Sequence, residues 1–317
     1  MTSKLTTPNP RIHRTMNPHK LIRCALILSV LTLLWTTGCA PESESSSTEA
    51  TQAPLETGIS ELRAFNFNQA HAILLEHAQH ISPENSDWPL ATYSLALATW
   101  HQAPSTQQGI DDAKVLFHTL VEKAPQHNLA ASALLDLGRI AEFSQADDAA
   151  AQAQAYYKRV QDKFPGTEMA VRASLLEAQS LARSFDKQQV KQAIQLLEKL
   201  TKEQAGSQWI GTIEQYIAHL YAFYLDELEP AITHYSAAKE FGFPRSSDTD
   251  LSLWQLGLWQ QEVKQDLAAA ETFTELVEEH PRSVYGSVAR KRIIEIAKQH
   301  PEANITIPEL AEVRLGR

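Results

Sequence analysis

The chain has 317 residues and a formal net charge of −10, from 28 basic and 38 acidic side chains. Residues 1–38 hold five basic side chains and no acidic one, so residues 39–317 carry a net charge of −15. A body this acidic disfavours nucleic acid as a partner, because phosphate binding needs a basic surface. The only two cysteines are Cys24 and Cys39, a count that excludes zinc-ribbon, thioredoxin-like and thiol-protease chemistry.

The first segment, residues 1–38, has the composition of an export signal. Its apolar core runs from Ala25 to Trp35 and follows Arg23. A helix that spans a bilayer needs about twenty apolar residues, so this core is too short to cross a membrane stably. We predict that residues 1–38 are a signal peptide and that the mature chain begins at Cys39.

The segment from Thr36 to Ala40, TTGCA, resembles the lipobox of bacterial lipoproteins, apart from Thr36, where that family usually has Leu. The resemblance implies that Cys39 is diacylated and becomes the new N-terminus, and attachment through two or more acyl chains is stable. The family's sorting rule depends on the residue after the cysteine, and Ala40 in place of Asp implies the outer membrane. We therefore expect a protein anchored by lipid to the periplasmic face of the outer membrane. A secreted protein with an unmodified cysteine at its cleavage site is the alternative.

Residues 39–55 are rich in Ser, Thr, Glu and Pro and contain almost no large apolar side chain. Such a segment buries too little apolar surface to fold, so we predict a disordered tether. From residue 56 to residue 299 the apolar side chains recur at helical spacing, and strand-like alternation is hard to find. This part is predicted to be helical.

The window from Leu253 to Pro281 predicts two short helices, with Gly257 where they approach each other closely and Pro281 as the stop. The pattern of its second helix, Ala-x3-large apolar with a following Pro, recurs along the chain. The anchor alanines are separated by 43, 40, 40, 38 and 38 residues. The predicted repeat positions are Ala113, Phe117, Pro125, Ala153, Tyr157, Pro165, Ala193, Leu197, Ala231, Tyr235, Gly257, Ala269, Phe273 and Pro281, with a poorer first copy at Ala70 and Leu74.

This pattern resembles the tetratricopeptide repeat, a helix–turn–helix unit of about 34 residues. The resemblance implies an all-α fold, a tetratricopeptide-like α-solenoid of about six helix–turn–helix repeats. Residues 284–299 are predicted to form a capping helix over the last exposed apolar face. For the tail, residues 300–317, the sequence makes no clear prediction.

The same resemblance implies a concave groove lined by the first helix of each repeat, and partners that are extended peptides or other envelope proteins. The residues predicted to face the groove are Leu95, Arg139, Trp254, Leu258 and Glu262. Packing against the adjacent repeat, or simple exposure to solvent, is an equal alternative for each of them.

Catalytic motifs are not found: the chain lacks Gly-x4-Gly-Lys, Gly-x-Ser-x-Gly and His-Glu-x2-His. His71, His77 and His80 lie on neighbouring helical turns, but surface or packing roles are favoured over a metal site. We therefore predict that the protein is not an enzyme and has no cofactor or metal.

Two functional classes follow. The first is a non-catalytic scaffold in outer-membrane protein assembly or envelope maintenance. Its combination of lipobox, tether and repeats is similar to the lipoprotein of the β-barrel assembly machinery and to the Tol–Pal coordinator. The second class is an accessory protein of a peptidoglycan-processing system. The residues specify a fold and leave the partner open.

Overall fold

The computed structural model describes residues 49–310, with side chains from residue 54 onward. The predicted signal peptide, Cys39, and the last seven residues lie outside the described residues. Within residues 49–310 the chain forms thirteen α-helices and no β-strand. The helices are α1 (Glu49–Arg63), α2 (Phe67–Ala78), α3 (Trp88–His101), α4 (Gln107–Lys123), α5 (Asn128–Glu142), α6 (Ala149–Lys163), α7 (Glu168–Arg183), α8 (Lys187–Glu203), α9 (Ile210–His219), α10 (Leu228–Phe241), α11 (Thr249–Glu262), α12 (Asp266–Glu279) and α13 (Gly286–Gln299). A π-helical stretch, Leu220–Leu225, extends α9.

Helices α1 to α12 form six consecutive pairs, in which each odd-numbered helix packs against the even-numbered helix that follows it. The first helices of neighbouring pairs also pack side by side, α1 with α3, α3 with α5 and α5 with α7. This arrangement is a tetratricopeptide-like α-solenoid, so the predicted fold class is confirmed.

The second helix of every pair has the same buried face. All six anchor alanines have an exposed fraction of zero, namely Ala70, Ala113, Ala153, Ala193, Ala231 and Ala269. Four residues later stands a large side chain that is at most 3% exposed: Leu74, Phe117, Tyr157, Leu197, Tyr235 or Phe273. Since residues four apart lie on one side of a helix, each second helix inserts the same small-large pair into the core.

Glycines of the first helices accommodate these large side chains. A Cβ atom on Gly257 would lie 2.3 Å from Cε1 of Phe273, and one on Gly138 would lie 2.4 Å from Cε1 of Tyr157. Both distances are far below van der Waals contact. The two helices of a pair can therefore approach this closely only where the first helix has no side chain.

Three predicted prolines follow the ends of second helices. Helix α4 ends two residues before Pro125, α6 two residues before Pro165, and α12 two residues before Pro281. Proline disfavours the helical conformation of the residue before it. It therefore sets the turn that leads into the next pair.

The structure departs from the sequence prediction at the N-terminal boundary. Helix α1 begins at Glu49 and contains Pro54, so residues 49–55, which were assigned to the tether, are helical. Leu55 is only 4% exposed and belongs to the apolar cluster of Leu74 and Leu95. Burial of this side chain stabilises the helix in spite of the polar composition of the segment.

The C-terminal cap is larger than one helix. Helix α13 buries Ile293 and Ile296, and the extended residues 304–310 add Ile305 and Ile307 to the same apolar cluster. Arg290 Nε donates a hydrogen bond of 2.8 Å to the carbonyl oxygen of Pro308. The tail thus runs back along α13 and covers the end of the core.

Candidate functional site

A row of polar side chains crosses the first helices of the second, third and fourth pairs. Helix α5 contributes Asp136, Arg139 and Glu142, which are three residues apart and therefore share one face. The rest of this helix is largely apolar and buried. The row continues onto α7 through Arg183.

Asp136 forms the first half of the row. Its side chain is 6% exposed, and Oδ2 accepts a hydrogen bond of 2.8 Å from the hydroxyl of Tyr93 on α3. Its Oδ1 lies 3.5 Å from Nη1 of Arg139. Burial raises the pKa of Asp136 to about 6, and the charge of Arg139 and the bond from Tyr93 limit the rise.

Glu142 forms the second half. Its side chain is 4% exposed, its Oε2 accepts a hydrogen bond of 3.2 Å from the hydroxyl of Tyr157, and its Oε1 lies 3.5 Å from Nε of Arg183. Burial raises the pKa of Glu142, opposed first by the charge of Arg183. The Oε1 atom accepts no hydrogen bond, so the contact with Arg183 is a long ion pair.

Each arginine also lies over an aromatic ring. The guanidinium carbon of Arg139 is 5.4 Å from the ring centre of Trp100, and that of Arg183 is 4.4 Å from the ring centre of Phe143. The two arginine side chains are 39% and 34% exposed. A stacked guanidinium has few conformations to lose on binding, and Trp, Tyr and Arg dominate the binding energy of protein interfaces. The row therefore offers two preorganised cation–aromatic contacts to a polypeptide.

The residues predicted to line the groove have different environments. Arg139 belongs to the row described above. Leu95 is 3% exposed and packs in the apolar cluster of Leu55 and Leu74. It therefore fits the packing alternative, because side chains of the first pair cover this face of α3.

The other three predicted groove residues lie on α11, in the last pair. Trp254 stacks on Tyr285 with ring centres 5.7 Å apart, and Leu258 packs against the same apolar cluster. Glu262 is exposed at the end of the helix. The structure therefore does not bring these residues together with Arg139 into one site.

Sequence reasoning missed Tyr93, Trp100, Asp136, Glu142 and Arg183. A signal was present in α5, where three charged residues at a spacing of three interrupt a run of apolar residues. Charged side chains are rarely buried unless they are paired. Their partners on α3 and α7 are about 40 residues away and follow no local pattern.

No cluster of His, Cys, Asp or Glu suited to a metal ion occurs among residues 49–310. Of the three histidines considered above, His77 is buried and its Nε2 has no hydrogen-bond partner, whereas His80 is exposed. No helix in the described part of the chain is long and apolar enough to cross a membrane.

One helix pair, the one that contains Gly257, matches a known family model. Residues 251–283 match the family model of the tetratricopeptide repeat. A search of curated proteins finds no match.

Several solved tetratricopeptide and chaperone structures are similar to the chain at low sequence identity. The assembly chaperone of RpL4, Acl4, is 16% identical with a TM-score of 0.42, over 80% of this chain and 99% of that one. The tetratricopeptide domain of P58(IPK) is 14% identical with a TM-score of 0.32, over 80% and 68%. The TPR2AB domain of yeast Sti1, in complex with pHSP90, is 12% identical with a TM-score of 0.32, over 80% and 100%.

Proposed function

We propose that this protein is a non-catalytic protein–protein interaction scaffold, anchored through lipid on Cys39 to the periplasmic face of the outer membrane. The observation that carries the scaffold proposal is the polar row across three neighbouring helix pairs. It presents Arg139 on Trp100 and Arg183 on Phe143, both half-exposed and both supported by buried carboxylates. Such contacts serve recognition of a polypeptide.

The proposed location rests on the sequence alone. The basic leader and the lipobox-like segment around Cys39 support export and lipidation. Ala40 supports transfer to the outer membrane. We assign the protein to the assembly of outer-membrane proteins or to envelope maintenance. The partners are then envelope proteins or their extended segments.

Binding can be tested by placing a photocrosslinking amino acid at position 139 in cells. We expect a discrete protein adduct there, since the row would lie in the interface. The matched control is position 199 on α8, where the Lys199 side chain is 75% exposed and is not part of the row. Equal adducts at both positions, or none at position 139, would contradict the scaffold proposal.

Anchoring is tested separately with Cys39→Ser. The variant should move from the membrane fraction to the soluble periplasmic fraction, because it lacks the acylated thiol. The lipid-anchor proposal fails if the variant still sediments with the outer membrane.

A further inference from the structure

Three exposed phenylalanines lie in equivalent turns of the solenoid. Phe65 follows α1 and is 77% exposed, Phe143 follows α5 and is 65% exposed, and Phe185 follows α7 and is 66% exposed. Each turn joins the first helix of a pair to the second. All first helices run in the same direction, so these turns lie along one edge of the stack. We call the turns of the first four pairs (residues 64–66, 102–106, 143–148 and 184–186) the turn edge.

Two of these phenylalanines have a backbone conformation that is unfavourable for a residue with a side chain. Phe65 has φ of 60° and Phe185 has φ of 55°, both in the left-handed region. Glycine or asparagine usually occupies this position after a helix, since a Cβ atom is unfavourable there. The phenylalanines thus carry a conformational cost and leave their rings in water. Each ring makes a contact within the chain, Phe65 with Phe67 at 6.0 Å and Phe185 with Tyr224 at 5.4 Å between ring centres, yet each stays largely exposed. Large exposed apolar side chains are expected of a surface that binds a partner.

The second pair continues the edge with aromatic contacts and a pocket. The rings of Phe65 and Phe67 are 6.0 Å apart, and Phe67 lies 5.1 Å from the ring of His101 at the end of α3. These rings, with the amides of Asn68 and Gln69, line an open pocket of about 370 Å³. Pockets of this volume accommodate ligand groups in proteins. The lining has no carboxylate, lysine or arginine, so the pocket suits an uncharged side chain.

The turn edge is acidic beside Phe143 and Phe185. Its residues include three carboxylates and no lysine or arginine: Asp147, Asp148 and Asp186. The nearby Arg139 and Arg183 are already paired with Asp136 and Glu142. Charge complementarity therefore favours a basic partner at this edge.

We propose that the turn edge is a docking surface for a segment of a partner protein in which Lys or Arg residues alternate with apolar side chains. The apolar side chains would cover Phe65, Phe143 and Phe185 and enter the pocket beside Phe67, and the basic groups would meet the carboxylates of the turns. This inference rests on the proposed scaffold function and names the chemistry of its partner. A bilayer surface also accepts exposed rings, but anionic headgroups would be repelled by the same carboxylates.

The test compares two triple variants of the full-length protein. The edge variant carries Phe65→Gly, Phe143→Ser and Phe185→Gly, and its two glycines fit the left-handed backbone, so it should fold. The control variant carries Leu75→Ser, Val115→Ser and Val284→Ser, which removes three side chains of 43%, 64% and 79% exposure that lie outside the turn edge. Circular dichroism and thermal melting establish that both variants are folded.

Short random peptides displayed on phage are selected on the wild-type protein and then measured by fluorescence anisotropy. We expect the selected peptides to combine Lys or Arg with apolar residues. Their Kd for the edge variant should rise about tenfold or more, as loss of an interface hot spot requires, while Kd for the control variant stays close to that of the wild type.

Several outcomes would overturn the proposal. They are the selection of no binder, the selection of acidic peptides, and equal affinity for the wild type and the edge variant. Vesicles of phosphatidylethanolamine and phosphatidylglycerol are a parallel probe. If the vesicles bind the wild type but not the edge variant, and no peptide shows this difference, the surface is a membrane contact instead. If this inference fails but the edge variant still forms a crosslinked adduct at position 139, the scaffold function remains supported.

Discussion

Substitution of Gly257 by alanine tests whether close helix approach organises each pair. The added Cβ would lie 2.3 Å from Cε1 and 2.7 Å from Cζ of Phe273, whose ring is completely buried. Overpacking of a core costs about 1–3 kcal/mol, and a contact this short should fall near the upper end. Alanine in place of glycine gains about 1 kcal/mol of helix propensity. The net loss should be about 2 kcal/mol.

Urea unfolding and thermal melting, both followed by circular dichroism, measure this loss. In a domain of this size about 2 kcal/mol lowers Tm by roughly 4–8 °C. The matched control is Gly109→Ala in α4, where the nearest atom to the new Cβ is Oγ1 of Thr106 at 3.3 Å. This variant should be as stable as the wild type or slightly more stable, because propensity favours it and little must move.

A double-mutant cycle identifies the cause. Phe273→Leu shortens the side chain that Gly257→Ala would strike, so the double variant should be more stable than the sum of the single effects predicts. Contacting residues show coupling of about 0.5–3 kcal/mol. Strict additivity, or a Gly257→Ala variant with an unchanged melting temperature, would refute the close-approach explanation.

Three further predictions follow from the described contacts. The pKa of Asp136 is raised from 3.8 to about 6, so the stability that its protonated form provides is complete below pH 3.8 and is lost as the pH rises through 6. Relative to wild type, Asp136→Asn should therefore gain about 2 kcal/mol of unfolding free energy, measured in urea, between pH 4 and pH 7; a constant difference would contradict this. Phe65→Gly should raise Tm by a few degrees, because it relieves a left-handed conformation that costs about 1–2 kcal/mol, and a lower Tm would show that the ring stabilises the fold. Deletion of residues 300–317 should cost about 2 kcal/mol by uncovering the apolar cluster that Ile305 and Ile307 complete, which an unchanged unfolding midpoint would exclude.

The fold could be predicted because its determinants are local and recur. The anchor Ala and the large side chain four residues later define a helix face within a single turn, and Pro125, Pro165 and Pro281 mark where second helices stop. Gly257 was identified as the close approach for the same reason. Repetition at a nearly constant interval is what distinguishes this pattern from that of an ordinary alanine-rich helix.

The site and the N-terminal boundary could not be predicted in this way. Arg139 was identified, but the residues that position it are Trp100 and Asp136, and the pairing of Trp100 depends on how α3 lies against α5. The sequence could not decide between groove and core for Leu95, because periodicity shows that a face is apolar without showing which neighbour covers it. The helix at residues 49–55 depends on the burial of Leu55 by other pairs, and composition carries no information about such distant contacts.

The side-by-side packing of α1 with α3, α3 with α5 and α5 with α7 couples the orientation of each of these pairs to that of the next. A rotation of a few degrees between successive pairs adds up from one end to the other, so small changes at each junction alter the curvature of the whole array. A ligand that touches several consecutive pairs would fix those angles together. Binding of a ligand at one end could then reduce the flexibility of the other end, without a hinge and without rearrangement of any single helix.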